Sequence, residues 1–190
     1  MKYDIMLAGV GGQGVLSLAA LIGRAAVAEG LYVKQSEVHG MAQRGGAVLS
    51  HLRLSSEPIA SDLIPLGTAE MILSMEPLES LRYLDYLSPS GAVVTATDPF
   101  QNIPDYPPQD EVLAQVRRVS GSVLVEAERL ARAAGEVLTK NTVMVGAAAH
   151  RLPLERKSFD GAIQQTFGAK GERALTVNFA AFEAGWQAAA

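Results

Sequence analysis

A chain of 190 residues, 48% hydrophobic and 19% charged, can bury a substantial core and is too apolar for a disordered chain. Its formal net charge of −4 sets aside nucleic acid and an anionic membrane as principal partners, since both favour a basic surface. The absence of cysteine removes disulfides, thiolate nucleophiles and thiolate-held zinc or iron–sulfur clusters from this polypeptide.

Tyr3 to Val10 is a short bulky run ending in glycines, which predicts a buried strand. Val15 to Ala28 carries apolar residues on nearly every face and predicts a buried helix. Leu31 to Lys34 predicts a second strand, completing a βαβ unit. Ser36 to Gly46, with glycines at 40, 45 and 46, reads as an irregular loop. Ala47 to Leu54 alternates as a strand, with His51 and Arg53 among its polar positions, and Met71 to Met75 is another short strand.

Glu76-Pro77 opens a helix expected to run to Leu87, with proline at a tolerated early position. A strand follows at Gly91 to Thr95. Pro99, Pro104, Pro107 and Pro108 then make an extended surface loop of Asp98 to Asp110. Ser122 to Val125 is a strand and Glu126 to Gly135 a helix. Asn141 to Arg151 is a helix of small apolar residues suited to close packing, and Ser158 to Phe167 and Gly171 to Ala188 are the closing helices. In the last, Leu175, Phe179, Phe182 and Trp186 share one face, suited to a core or a subunit contact. The fold class is α/β, a mostly parallel sheet flanked by helices with a Rossmann-like first βαβ unit, and residues 1–190 form a single domain. No run approaches the roughly 18 apolar residues of a membrane span, and the N-terminal apolar run is too short for a signal peptide. A cytoplasmic protein is expected.

Gly9-Val10-Gly11-Gly12-Gln13-Gly14 lies between strand and helix, where glycines permit positive φ and let a ligand approach the backbone. Free N–H groups of the first helical turn form an anion site there. The plainer alternative is a tight strand-to-helix turn. In a parallel sheet, the loop after the second strand shares a crevice with this turn, which brings Glu37 to Gly46 beside it. Two readings of that loop stay open. Arg44 can present a fork to a carboxylate or phosphate, with Glu37 and His39 handling protons or orienting groups. Alternatively, Glu37 and Arg44 pair with each other. His51 and His150 lack metal-ligand spacing and read as structural, and Asn141 as a helix N-cap.

The glycine cluster, followed by Ser36-Glu37-Val38-His39-Gly40-Met41-Ala42-Gln43-Arg44-Gly45-Gly46, resembles the gamma-type domain of 2-oxoacid:ferredoxin oxidoreductases. Asn141-Thr142-Val143-Met144-Val145-Gly146 and the terminal helix around Asn178 extend the resemblance over nearly the whole chain, and it is nearest to the small subunits of indolepyruvate-using members. That resemblance implies oxidative decarboxylation of an aryl 2-oxoacid to an acyl-CoA, with electrons passed to ferredoxin. It also implies a large partner subunit carrying thiamine diphosphate, magnesium and the iron–sulfur clusters. The present sequence has neither the Gly-Asp-Gly pattern of a thiamine diphosphate site nor any cysteine, so this chain holds no cofactor by itself and is inactive alone. The residues implied to face the partner's active site are Gly9, Gly11, Gly12, Gln13 and Gly14, with Arg44, Gly45 and Gly46, in contact with coenzyme A or the substrate. Glu37 and His39 are the candidate catalytic groups.

A different class of function is a stand-alone NAD- or FAD-type oxidoreductase built on the first βαβ unit. Against it, Val33-Lys34-Gln35-Ser36 occupies the stretch where a ribose-binding acid belongs, with Glu37 slightly late.

Overall fold

The computed structural model describes residues 1–39 and 45–190, and of His39 only the backbone. Six strands form one sheet in the order β2-β3-β1-β4-β5-β6. The strands are β1 (Lys2–Val10), β2 (Tyr32–His39), β3 (Ala47–Ser55), β4 (Ala69–Ser74), β5 (Leu87–Ala96) and β6 (Val123–Val125). β1, β4, β5 and β6 are mutually parallel, whereas β3 runs antiparallel to both β1 and β2. The sheet is therefore mixed and largely parallel.

Alternation along the central strands builds two cores, one on each face. Ile5 and Leu7 of β1, Met71 and Leu73 of β4, and Val94 of β5 enter the larger core. Met6, Ile72 and Val93, one residue out of step, enter the smaller. The larger core is covered by α1 (Val15–Ala28), α4 (Ala127–Ala133), α5 (Lys140–Ala149), α6 (Arg156–Phe167) and α7 (Glu172–Ala188). The smaller lies under α2 (Pro77–Arg82) and α3 (Gln109–Arg117), through Leu81 and Val116.

Helices α5 and α7 pack closely because each carries a glycine where the other's backbone passes. A Cβ at Gly146 would stand 2.1 Å from the Phe182 carbonyl oxygen, and one at Gly185 1.9 Å from that of Val143. Beneath this crossing the Thr142 hydroxyl donates to Asn178 Oδ1 at 2.6 Å. Phe182 is buried and Leu175, Phe179 and Trp186 pack against the same core, so the aromatic face of α7 is interior. Across the sheet, buried Asp4 sits opposite Arg53 and takes a two-pronged bond from it, at 2.9 and 3.0 Å.

The structure corrects several expectations. β2 continues through Ser36, Glu37, Val38 and His39, which the sequence suggested were loop, because β3 pairs with it as far as His39 opposite Val48. An edge strand can leave polar side chains in solvent, so the apolar run by which strands are recognised ended too early. β3 also stands between β1 and β2, so the first βαβ unit is split. The helix begun at Pro77 ends at Arg82, a 3₁₀ turn spans Leu84–Tyr86, and β5 starts at Leu87 rather than Gly91. Finally, α3 follows the proline-rich stretch unforeseen, burying Val112, Leu113 and Val116 on one face.

Candidate functional site

The C-terminal ends of β1 and β4 lie side by side, and the glycine turn is built across them. Gln13 holds it from both sides. Its Oε1 accepts the Val10 N–H at 2.8 Å, its Nε2 donates to the Met75 carbonyl at 3.3 Å, and its own N–H bonds back to Val10 at 3.0 Å. Gly9 must be glycine for lack of room, since a Cβ would lie 2.8 Å from Val15 Cγ2 and 3.0 Å from Gln13 Oε1. Gly12 and Gly14 are glycine for conformation, with φ of 99° and 75°. A Cβ at Gly12 would meet nothing within 4 Å, so the backbone there lies open to a ligand.

The two glycine segments do meet, but not as a wholly parallel sheet would bring them. The returning arm of the second loop, leading into β3, makes the contact. Gly11 N–H donates to the Gly46 carbonyl at 2.8 Å and Gly45 N–H to the Gly11 carbonyl at 3.2 Å. This reciprocal pair uses the Gly11 donor, and Gln13 has used its own. The N–H groups of Gly12 and Gly14 have no partner among the described residues, which makes them the turn's available donors.

Two further tethers reach the turn from elements the motifs did not reveal. Asn141 is not an N-cap. It is the second residue of α5, and its Nδ2 donates to the Gly14 carbonyl at 2.7 Å. From the proline-rich loop, Asn102 Nδ2 donates to the Gly45 carbonyl at 2.6 Å. That loop is anchored in turn by Glu76, a carboxylate only 1% exposed. Glu76 Oε2 caps α2 by accepting the Glu79 N–H at 2.8 Å, while Oε1 accepts the Phe100 N–H at 3.4 Å and the Tyr106 hydroxyl. Burial, reinforced by the bond to Glu76, holds the Tyr106 hydroxyl protonated far above neutral pH. Glu79 lies beside them, equally buried. One oxygen pairs with Arg82 at 3.0 Å and the other has no partner among the described residues, and burial raises its carboxyl above the usual range. The only local sign of this network was the Glu76-Pro77 helix start.

Glu37 and His39 sit on β2, two strands from β1. Across β3, His39 aligns with Val48 and then Gly9, and Glu37 with Ser50 and then Leu7. His39 thus ends its strand level with the start of the glycine turn. Gly40 and Arg44 lie outside the described residues. His51 is buried, with Nδ1 accepting the Ile64 N–H at 3.1 Å, and His150 stacks on Trp186 at 3.7 Å between ring centres. Among the described residues no group of three His, Cys, Asp or Glu side chains could hold a metal ion, and no helix is long and apolar enough to cross a membrane.

The split βαβ unit bears on nucleotide binding. In a dinucleotide fold, the strand next to β1 ends at the glycine turn and presents its acid to the ribose there. Here that neighbour is β3, which begins at this edge with Ala47 and Val48. No acid stands in that place.

The glycine turn thus lies at the C-terminal end of a largely parallel sheet, bonded to a second glycine segment through Gly11, Gly45 and Gly46. The chain belongs to the pyruvate ferredoxin/flavodoxin oxidoreductase family, whose pattern it matches over residues 4–188. It is of the small, gamma type, an accessory subunit in a family of multi-subunit oxidoreductases. It is 38% identical to the indolepyruvate oxidoreductase subunit IorB of Methanothermobacter thermautotrophicus, covering 100% of this chain and 99% of that one. To the IorB subunit of Thermococcus kodakarensis it is 37% identical, over 99% of this chain and 96% of the other. Its fold is shared with the 2-oxoglutarate:ferredoxin oxidoreductase of Magnetococcus marinus, solved with 2-oxoglutarate, coenzyme A and succinyl-CoA bound. There the TM-score is 0.76 at 24% identity, over 99% of this chain and 31% of that chain.

Proposed function

We propose that this chain is the small subunit of a ferredoxin-reducing oxidoreductase acting on an aryl 2-oxoacid of the indolepyruvate kind, and that its glycine turn forms one wall of the active site. The observation that carries the reading is the turn itself. Gly12 and Gly14 offer N–H donors that have no partner among the described residues, on a backbone open at Gly12 and fixed in position by Gln13, Asn141 and the Gly11–Gly46 pair. A rigid backbone donor pair suits a phosphate or a carboxylate, which coenzyme A and the 2-oxoacid respectively carry.

In this reading the large subunit supplies thiamine diphosphate, magnesium and the clusters, which between them carry out decarboxylation and electron removal. The present chain binds and excludes. Its turn holds coenzyme A with the thiol directed at the partner, and its loop closes the reacting carbon off from water. Glu37 and His39, at the end of β2, are assigned to proton handling beside that wall, and Arg44 to an anion contact. Similarity to IorB subunits along the full chain supports the substrate class.

The test is co-expression with the large subunit encoded in the same genome, purification on a tag carried by this chain, and assay of dye or ferredoxin reduction. Indolepyruvate-dependent reduction requiring coenzyme A is the expected result. Recovery of an active complex that prefers pyruvate or 2-oxoglutarate would remove the substrate assignment. Unaltered coenzyme A dependence in Gly12→Val and Arg44→Ala complexes would leave the glycine segments a packing role only.

A further inference from the structure

The two edges of the sheet are built differently. β6, at one end, is three residues long and exposes little backbone. β2, at the other, is eight residues long and pairs with β3 from Tyr32 to His39 in one unbroken register. It contains neither proline nor bulge, two of the devices that keep an edge from pairing further. Its lysine is tied back to its own chain, Lys34 Nζ donating to the Ala60 carbonyl at 3.3 Å. The outer side of β2 thus presents a regular row of N–H and C=O groups.

Val33 packs on the larger core and Gln35 lines a groove with α1, so these positions face the helices. By alternation Tyr32, Lys34, Ser36 and Val38 take the other face. There Tyr32 is 50% exposed and Val38 58%, each three residues from Gln35 on opposite sides. A two-fold axis through the sheet at Gln35 would set Tyr32 of each copy opposite Val38 of the other. Lys34 would come opposite Ser36, Gln35 opposite itself, and Val33 opposite Glu37 in the groove that Arg24 also lines. Aromatic and β-branched side chains are favourable cross-strand pairs. The neighbouring symmetric registers are worse. With the axis at Lys34, two lysines oppose each other; with it at Ser36, Lys34 opposes Val38 and Tyr32 overshoots the end of the strand.

We propose that β2 pairs antiparallel with β2 of a second copy of this chain, joining the two six-stranded sheets into one. The match of the strand to itself about Gln35, over nearly its full length, is what designates a second copy as the occupant. The proposal is independent of the ligand of the glycine turn.

The experiment exploits the absence of cysteine. In this register Gln35 alone faces its own copy, with Cα atoms about 4.5–5.5 Å apart, inside disulfide range. Lys34 and Ser36 are each offset by two residues from their own copies, about 8 Å apart and out of range. Gln35→Cys, Lys34→Cys and Ser36→Cys are oxidised in the full chain and in its complex with the large subunit, and covalent dimer is read on non-reducing gels. Sedimentation equilibrium compares the wild-type chain with Tyr32→Lys, Val38→Lys and the control Leu138→Lys, an exposed apolar residue on the turn before α5. Expected are a wild-type dimer, cross-linking at Gln35→Cys above the other two in both preparations, and a dimer Kd raised about tenfold or more by Tyr32→Lys or Val38→Lys but not by Leu138→Lys. A monomeric wild-type chain overturns the proposal, as does equal weakening by Leu138→Lys, which would mark non-specific association. Cross-linking at all three positions alike, or foremost at Ser36→Cys, overturns the register. Cross-linking in the chain alone that disappears in the complex would give the edge to the large subunit and overturn the assignment.

Discussion

Replacing Gly185 by alanine sets two effects of one methyl group against each other. In a helix interior, alanine is favoured over glycine by about 1 kcal/mol. At this position, however, the new Cβ would lie 1.9 Å from the Val143 carbonyl oxygen, 2.8 Å from its carbon and 3.0 Å from the Ala147 nitrogen. All three are backbone atoms of α5 and cannot rotate away. An ordinary contact begins at 3.4 Å, so the helices must part by about 1.5 Å, enough to forfeit about half or more of each dispersion contact along the crossing. Overpacking of this kind costs about 1–3 kcal/mol, and separation also endangers the buried Thr142–Asn178 bond, worth about another 1 kcal/mol. The expected net loss is about 1–3 kcal/mol, a sizeable share of the 5–15 kcal/mol typical of a domain. Gly161 in α6 is the internal control, being helical and exposed, with nothing within 4 Å of an added Cβ. Gly161→Ala should stabilise by up to about 1 kcal/mol. Urea unfolding of the full chain measures both. A Gly185→Ala midpoint equal to or above that of wild type would refute the argument.

Glu76→Gln replaces a buried acceptor of three donors with a group that offers one oxygen and two N–H bonds, so a loss of about 1–3 kcal/mol is expected. Faster hydrogen exchange at Phe100 and across the proline-rich loop should accompany it. Asn141→Ala removes the tether on Gly14, and a raised KM for coenzyme A with little change in unfolding midpoint is the predicted outcome in the complex. For Glu79, burial raises the carboxyl above its ordinary 4.5, so ionising it opposes folding as pH climbs from 4.5 through the raised value. The stability of Glu79→Gln relative to wild type should therefore improve across that interval and level off above it, as denaturation at several pH values would show. Burial lowers His51 below 6.5, so its neutral ring supports folding above that pH and the support fades as pH falls toward the lowered value. An NMR titration midpoint at or above 6.5 would contradict the Ile64 N–H bond to Nδ1.

The sequence by itself determined the fold class, the strand–turn–helix opening and the close packing of α5, because these are written in local periodicity and in glycines at fixed spacing. Val15–Ala28 is a helix with those bounds, and Gly11 to Gly14 is the turn its context required, with Gly9 and Val10 ending β1. It also placed the two glycine segments together, though by way of β2 as the immediate neighbour of β1, a place that β3 takes instead. Tertiary structure decided what periodicity cannot express. β2 is polar to its end and is a strand only because β3 satisfies its backbone, and β3 comes between β1 and β2 because the chain reverses after the second loop. The remaining supports of the turn are contacts over long separations: Asn141 is 127 residues from Gly14, and Asn102 is 57 from Gly45. Each is a single side-chain bond to a carbonyl. Such a bond leaves no pattern in the sequence around either partner, so only the folded chain reveals it.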